Sequence, residues 1–196
     1  MGVPMEELSI LLSQLSCGED EQAEEALSQM AAWGGEAIPA LKERLSCPEA
    51  EVRWWAVRAL AEVQDPLVTG LLVNALADPD QGVRWCAGLA LRQHPSLEAC
   101  HALLAMLSDH NALTRRLAGD ALVAMGSQAV PQLLEAMEAG DTSVRLEAAR
   151  ALAIIGDMRA VPALFNALED DSALVEYWAN EGLERMGVGM VFYKPE

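Results

Sequence analysis

The feature that most constrains this chain is a repeat. Arg53, Arg84, Arg115 and Arg145 recur at intervals of 31, 31 and 30 residues, and Glu176 takes the same place another 31 along. Each is followed at the same distance by a small residue and leucine: Ala59-Leu60, Ala90-Leu91, Ala121-Leu122, Ala151-Leu152 and Gly182-Leu183. A second pattern falls between these, as "AIPALKERL", "AVPQLLEAM" and "AVPALFNAL", with looser copies "LVTGLLVNAL" and "EACHALLAML". A fixed period of this size is the signature of an array in which each unit buries its apolar face on its neighbours.

Each unit reads as two helices. The first carries apolar residues at helical spacing, as in Leu71, Leu72, Ala75 and Leu76. Pro39, Pro131 and Pro162 fall in its first turn, where the missing N–H has no intrahelical partner to lose. The second helix is preceded by Glu49, Asp80, Asn111, Asp141 or Ser172, and all but the glutamate are good N-caps. Its buried stripe is Val52, Ala56, Ala59, Leu60 and Val63, and Gly126, Gly156 and Gly187 stop it as left-handed glycines would. Residues 5–33 fit the pattern less well and read as an N-terminal capping unit. Residues 35–187 hold five regular repeats within a single array spanning 1–196. The tail Val188 to Glu196 breaks the period. It is expected to fold back over the last unit, or else to act as a docking peptide.

Charge narrows the partners. The chain of 196 residues carries a net charge of −17. Nucleic-acid binding draws much of its affinity from neutralising phosphates, so DNA and RNA are poor partners, and anionic membranes equally so. No stretch approaches the ~20 apolar residues of a membrane span, and "MGVPMEELSI" has no basic segment leading into an apolar one. The cytoplasm is the expected location. Cys17, Cys47, Cys86 and Cys100 form no CxxC pair and no ligand spacing with histidine, so reduced thiols and no metal are expected.

The segments "VPALFNALEDDSALVEYWANEGLERMG" and "VRWWAVRALAEVQDP" resemble HEAT repeats of the short bacterial type found in phycobilisome-lyase-like proteins. The resemblance covers about residues 35 to 187 and implies an all-α fold, a right-handed α-solenoid of about six helix pairs. It also implies that the second helices line a concave side. In such repeats the Val-Arg arginine ties to an acid in a neighbouring turn, a duty that suits Asp78, Asp109 and Asp170. Glu176 would end that series.

Helix geometry then selects a candidate surface. With Val52, Ala56 and Leu60 facing the core, position 54 points away from the stripe and position 55 lies on its flank. The equivalents of Trp54 are Trp85, Arg116, Leu146 and Tyr177; those of Trp55 are Cys86, Leu117, Glu147 and Trp178. Position 58 continues the outward face as Arg58, Leu89, Asp120, Arg150 and Glu181. Nine of the 13 basic residues lie on second helices. Trp54, Arg58, Trp85, Arg116, Asp120, Arg150, Tyr177 and Glu181 are therefore the candidate contact residues of a partner-binding concave face, since Trp, Tyr and Arg dominate interface hot spots. Packing of Trp54 and Trp85 on neighbouring repeats stays open as the alternative, whereas Trp55 and Trp178 are assigned to packing. Arg58 and Arg150, as surface residues, are expected to be removable with little loss of stability.

Nothing in the sequence assembles a catalytic centre. His94, His101 and His110 stand beside no patterned acid, and no His-Glu pair or glycine-rich phosphate loop occurs. The reading is a non-catalytic scaffold or adaptor, a monomer or weak dimer, that binds one protein partner and holds no resident cofactor. The resemblance implies one alternative, a phycobilin lyase or chaperone-lyase subunit handling an open-chain tetrapyrrole as a transient ligand. Its pigment would lie among Trp54, Trp85, Arg58, Arg116, Asp120 and Tyr177.

Overall fold

A computed structural model describes residues 5–15 and 19–188, so Cys17 and all of the tail beyond Val188 lie outside the described residues. Twelve α-helices are present among the described residues, and they pair as the period requires. The pairs are α1 (Met5–Gln14) with α2 (Asp20–Met30), α3 (Ile38–Arg44) with α4 (Ala50–Leu60), and α5 (Leu67–Ala75) with α6 (Gln81–Gln93). They continue as α7 (Leu97–Met106) with α8 (Ala112–Ala124), α9 (Val130–Ala139) with α10 (Thr142–Ile155), and α11 (Val161–Asn166) with α12 (Ala173–Arg185). This is the all-α, helix-pair architecture of an α-solenoid. No described helix is long and apolar enough to cross a membrane. The chain forms two compact units, divided between Ala99 and Cys100 within α7.

Local chemistry sets the helix ends. The second helices of the five regular repeats, α4, α6, α8, α10 and α12, start from an extended residue at the expected N-cap. The side chains of Asp80, Asn111 and Asp141 accept from backbone N–H groups of the first turn. Ser172 makes no such bond; its own N–H donates instead to Asp170 Oδ1 at 2.9 Å. At the other end Gly156 adopts φ 69° and ψ 27°, a left-handed cap that a side chain would oppose.

In the first unit α4 packs beside α6, with α3 and α5 against them. The contact is built from small residues and leucine: Ala56, Ala59, Leu60 and Ala87 are fully buried, and Ala90 and Leu91 nearly so. Trp55 is buried at 6% exposure, in the packing role its flank position implies. In the second unit α10 lies between α8 and α12. Gly182 makes the last contact close, because a Cβ there would stand 2.9 Å from the Cβ of Ala153. These alanine and glycine positions let helices approach, and the leucines fill the space between them.

The repeat arginines lock the turns. Each donates from Nη1 to carbonyls just before its own helix: Arg53 to Cys47 and Pro48, Arg84 to Asp78 and Pro79, Arg115 to Asp109 and His110, and Arg145 to Gly140. Two also grip an aspartate 25 residues on. Arg53 forms a two-point pair with Asp78 at 2.8 and 2.9 Å, and Arg145 does the same with Asp170 at 2.7 and 3.2 Å. The same step from Arg115 lands on Gly140, which has no carboxylate to offer. Asp78 and Asp170 further accept the N–H of Asp80 and Ser172, so each carboxylate orders its own turn while holding the preceding second helix.

The Arg53 guanidinium holds the Asp78 carboxyl below the usual carboxylate range, and Arg145 does the same to Asp170. A depressed folded-state pKa stabilises the fold fully above the ordinary carboxylate value of about 4, and that stabilisation is lost as pH falls toward the depressed value. Asp78→Asn should therefore be less stable than the parent in urea at neutral pH, with the gap narrowing in acid. A gap that stays constant from pH 7 to below pH 3 would contradict the pairing.

Candidate functional site

The eight candidate residues fall in both compact units. Trp54, Arg58 and Trp85 belong to the first; Arg116, Asp120, Arg150, Tyr177 and Glu181 belong to the second.

In the first unit, the side-by-side packing of α4 and α6 places Trp54 and Arg58 next to Trp85, Leu89 and Arg92. With Cys86, Gly82 and Gln93 they line an open groove of about 360 Å³. Trp54 is half-buried and stands edge-on to Trp55, with ring centroids 4.7 Å apart and planes at 87°. Its other support is Gly82: a Cβ there would lie 3.9 Å from Trp54 Cδ1. The indole is thus propped from below by a buried tryptophan while part of it stays open to the groove. Trp54 is therefore partly packed and partly open. Trp85 is half-buried in the same wall. Burial pushes the Cys86 thiol up to about 11, so it lines the groove as a small apolar group at neutral pH.

Of the two arginines that line this groove, Arg58 is already engaged. Arg58 Nη1 donates to Glu62 Oε1 at 2.5 Å, and its Nη2 lies 3.7 Å from Glu24 Oε2. What the groove offers a ligand is therefore chiefly aromatic and apolar surface, with Arg92 and Gln93 exposed at one edge.

In the second unit Arg116, Asp120 and Arg150 draw together with Glu147, although Arg150 Nη1 is left buried without a hydrogen-bond partner. Arg150 Nε donates to Glu147 Oε2 at 2.8 Å, and its Nη2 lies 2.9 Å from Asp120 Oδ1 and 3.4 Å from the Arg116 carbonyl oxygen. Arg116 in turn lies 3.5 Å from Asp120. The expectation of a surface position is wrong for Arg150, which is 1% exposed. Gly119 is the reason: a Cβ on it would come within 2.6 Å of Arg150 Nη2 and 3.0 Å of Glu147 Oε2. A glycine on α8 leaves the space into which α10 inserts a guanidinium and its carboxylate. Glu147 was missed as a functional partner, although its signal is legible. It is an acid at the flank position that other repeats fill with Trp55, Cys86, Leu117 or Trp178, three residues before an arginine. Tyr177 is 54% exposed and stands edge-on to Trp178 at 5.3 Å, and Glu181 pairs with Arg185 at 2.8 Å.

The two arginines should separate on mutation. Arg150→Ala strands a buried Glu147 and should cost ~3–5 kcal/mol, comparable with the ~2–5 kcal/mol of Leu60→Ala. Arg58→Ala, which removes a part-exposed pair, should cost about 1 kcal/mol or less. Urea unfolding of the three variants decides it, and equal behaviour of the two arginine variants would refute the burial argument.

Comparison with known proteins adds the family context. The sequence pattern of HEAT repeats matches residues 8–92, 38–123, 68–143 and 101–184. No curated protein matches the sequence at a significant level. Among solved structures, the archaeal HEAT-like repeats protein from Thermococcus onnurineus NA1 aligns with a TM-score of 0.64 and 17% identity, over 99% of this chain and 84% of that one. The complex of CpcE and CpcF of phycocyanin lyase from Nostoc sp. PCC7120 aligns with a TM-score of 0.60 and 20% identity, over 76% of this chain and 99% of that one. A designed armadillo repeat protein in complex with a (KR)4 peptide aligns at 0.53 and 21%, over 91% and 99%. At these identities the likeness is one of fold.

Proposed function

The chain belongs to the HEAT-repeat family, and we propose that it is a non-catalytic scaffold that binds a protein partner, with the groove between α4 and α6 as the docking point. The observation that carries this reading is the pairing of two tryptophans, Trp54 and Trp85, with Leu89 around an open groove of about 360 Å³. Exposed aromatic surface is costly to leave in water, and buried aromatic anchors supply most of the energy in interfaces. Arg58 and Arg150, two of the candidate contact residues, are instead held by Glu62, Glu147 and Asp120. The anchor received is accordingly an apolar or aromatic side chain of the partner, and the charged rows serve to hold the helices in place.

A second reading is a bilin lyase subunit, supported by the fold likeness to the CpcE–CpcF complex. In that reading the same groove would hold the planar pigment against Trp54 and Trp85, with Arg92 at its edge for a propionate.

One set of measurements separates the readings. Affinity purification from the source cells with the parent chain should retain a defined partner protein. Trp54→Ala with Trp85→Ala should weaken that complex by about 2 kcal/mol or more, a loss of about 30-fold, while the thermal midpoint moves far less than for Leu60→Ala. Full retention by the double variant would remove the groove as the docking point. Free bilin should leave tryptophan emission unchanged; saturable quenching lost in the double variant would favour the lyase reading instead.

A further inference from the structure

A second groove lies at the start of the chain, apart from the docking point above, and its chemistry is different. The first 41 residues contain eight Asp and Glu and no Lys, Arg or His; Lys42 is the first basic residue. Helix α1 presents two faces. Leu8 and Leu12 line a cleft with Ala40 and Arg44, on the side toward α3. Glu7, Ile10, Leu11 and Gln14, at the i, i+3, i+4, i+7 spacing of one helix face, line a separate groove of about 450 Å³. Its opposite wall includes Glu25 of α2 and Trp33 of the following turn. Leu11 forms a buried floor, whereas Ile10 is 53% exposed and Trp33 is half-buried. This unit keeps apolar side chains in a trough between two packed helices, bordered by carboxylates.

We propose that this trough takes an amphipathic helix of a partner protein, one whose apolar stripe is flanked by lysine and arginine. The shape is that of helix-in-groove recognition, in which anchors at helical spacing seat between two helices. The sign of the charge follows from Glu7 and Glu25 at the trough and from the absence of any base in the surrounding segment, which steers cations and repels anions. A second copy of this chain is a poor occupant, since two surfaces of a protein with net charge −17 would meet.

The test uses the full chain and a fluorescein-labelled designed helix of leucine and lysine, followed by anisotropy at physiological ionic strength. Saturable binding is expected. Glu7→Lys with Glu25→Lys should weaken it about tenfold or more, as should Ile10→Asp. Ile10→Ser serves the same purpose if circular dichroism shows the aspartate variant to be unfolded. Glu135→Lys with Glu138→Lys, on the exposed side of α9, produces the same net charge and should change binding by about twofold at most. Trp54→Ala with Trp85→Ala should bind the probe as the parent does, which keeps this trough distinct from the other groove. Four results would overturn the proposal. They are absence of saturable binding, equal weakening by the α9 pair, equal affinity for an all-lysine peptide, and a dimer in sedimentation that Ile10→Ser dissolves.

Discussion

A pair of short helices cannot enclose its own apolar stripe, and the remainder of this structure follows from that constraint. Each second helix must bury alanine and leucine against its neighbours. The positions that meet across the contact are therefore small: Ala56, Ala59 and Ala87 in the first unit, Ala153 and Gly182 in the second. Close approach brings the intervening turns within reach of one another. Arg53 and Arg145 use that proximity to grip an aspartate one repeat on while also binding the carbonyls of their own turn. The repeat arginine is thus a fastener whose geometry depends on helix spacing that the small residues set.

The same proximity decides what remains for recognition. Salt links form where an arginine finds a carboxylate on its own helix, just past it or on a neighbouring helix, as with Arg185 and Glu181, Arg58 and Glu62, and Arg150 with Glu147 and Asp120. Such pairs fix register and lower the appeal of those arginines to an outside ligand. Trp54 leans on Trp55 and Gly82 yet keeps part of its ring at the groove. Stability and recognition are then carried by different side chains of the same helices.

Most of the fold was legible because repetition multiplies weak local signals. Asp80, Asn111 and Asp141 cap the helices they precede, Gly156 and Gly187 take positive φ, and six helix pairs form among the described residues. The split between Trp54 and Trp55 followed from the stripe of a single helix. Arg150 defeated that reasoning because its environment is made by another helix. A wheel drawn for α10 shows an outward arginine, and only Gly119 on α8 reveals the hollow that receives it. The Arg58–Glu62 pair is local, four residues along the chain, whereas the longer contact of Arg58 with Glu24 depends on the placement of α2. The trough beside α1 escaped because residues 5–33 deviate from the repeat, and a deviation reads as a cap until the two helix faces are placed.

The most direct test of the claim that the tryptophans recognise and the arginines fasten is site-specific photo-crosslinking in the source cells. A photoreactive phenylalanine at Gln93, exposed on the rim of the Trp54–Trp85 groove, should yield one adduct of defined mass. That adduct should disappear when Trp54→Ala is introduced and persist when Arg58→Ala is introduced. An adduct indifferent to Trp54 and abolished by loss of Arg58 would contradict the account.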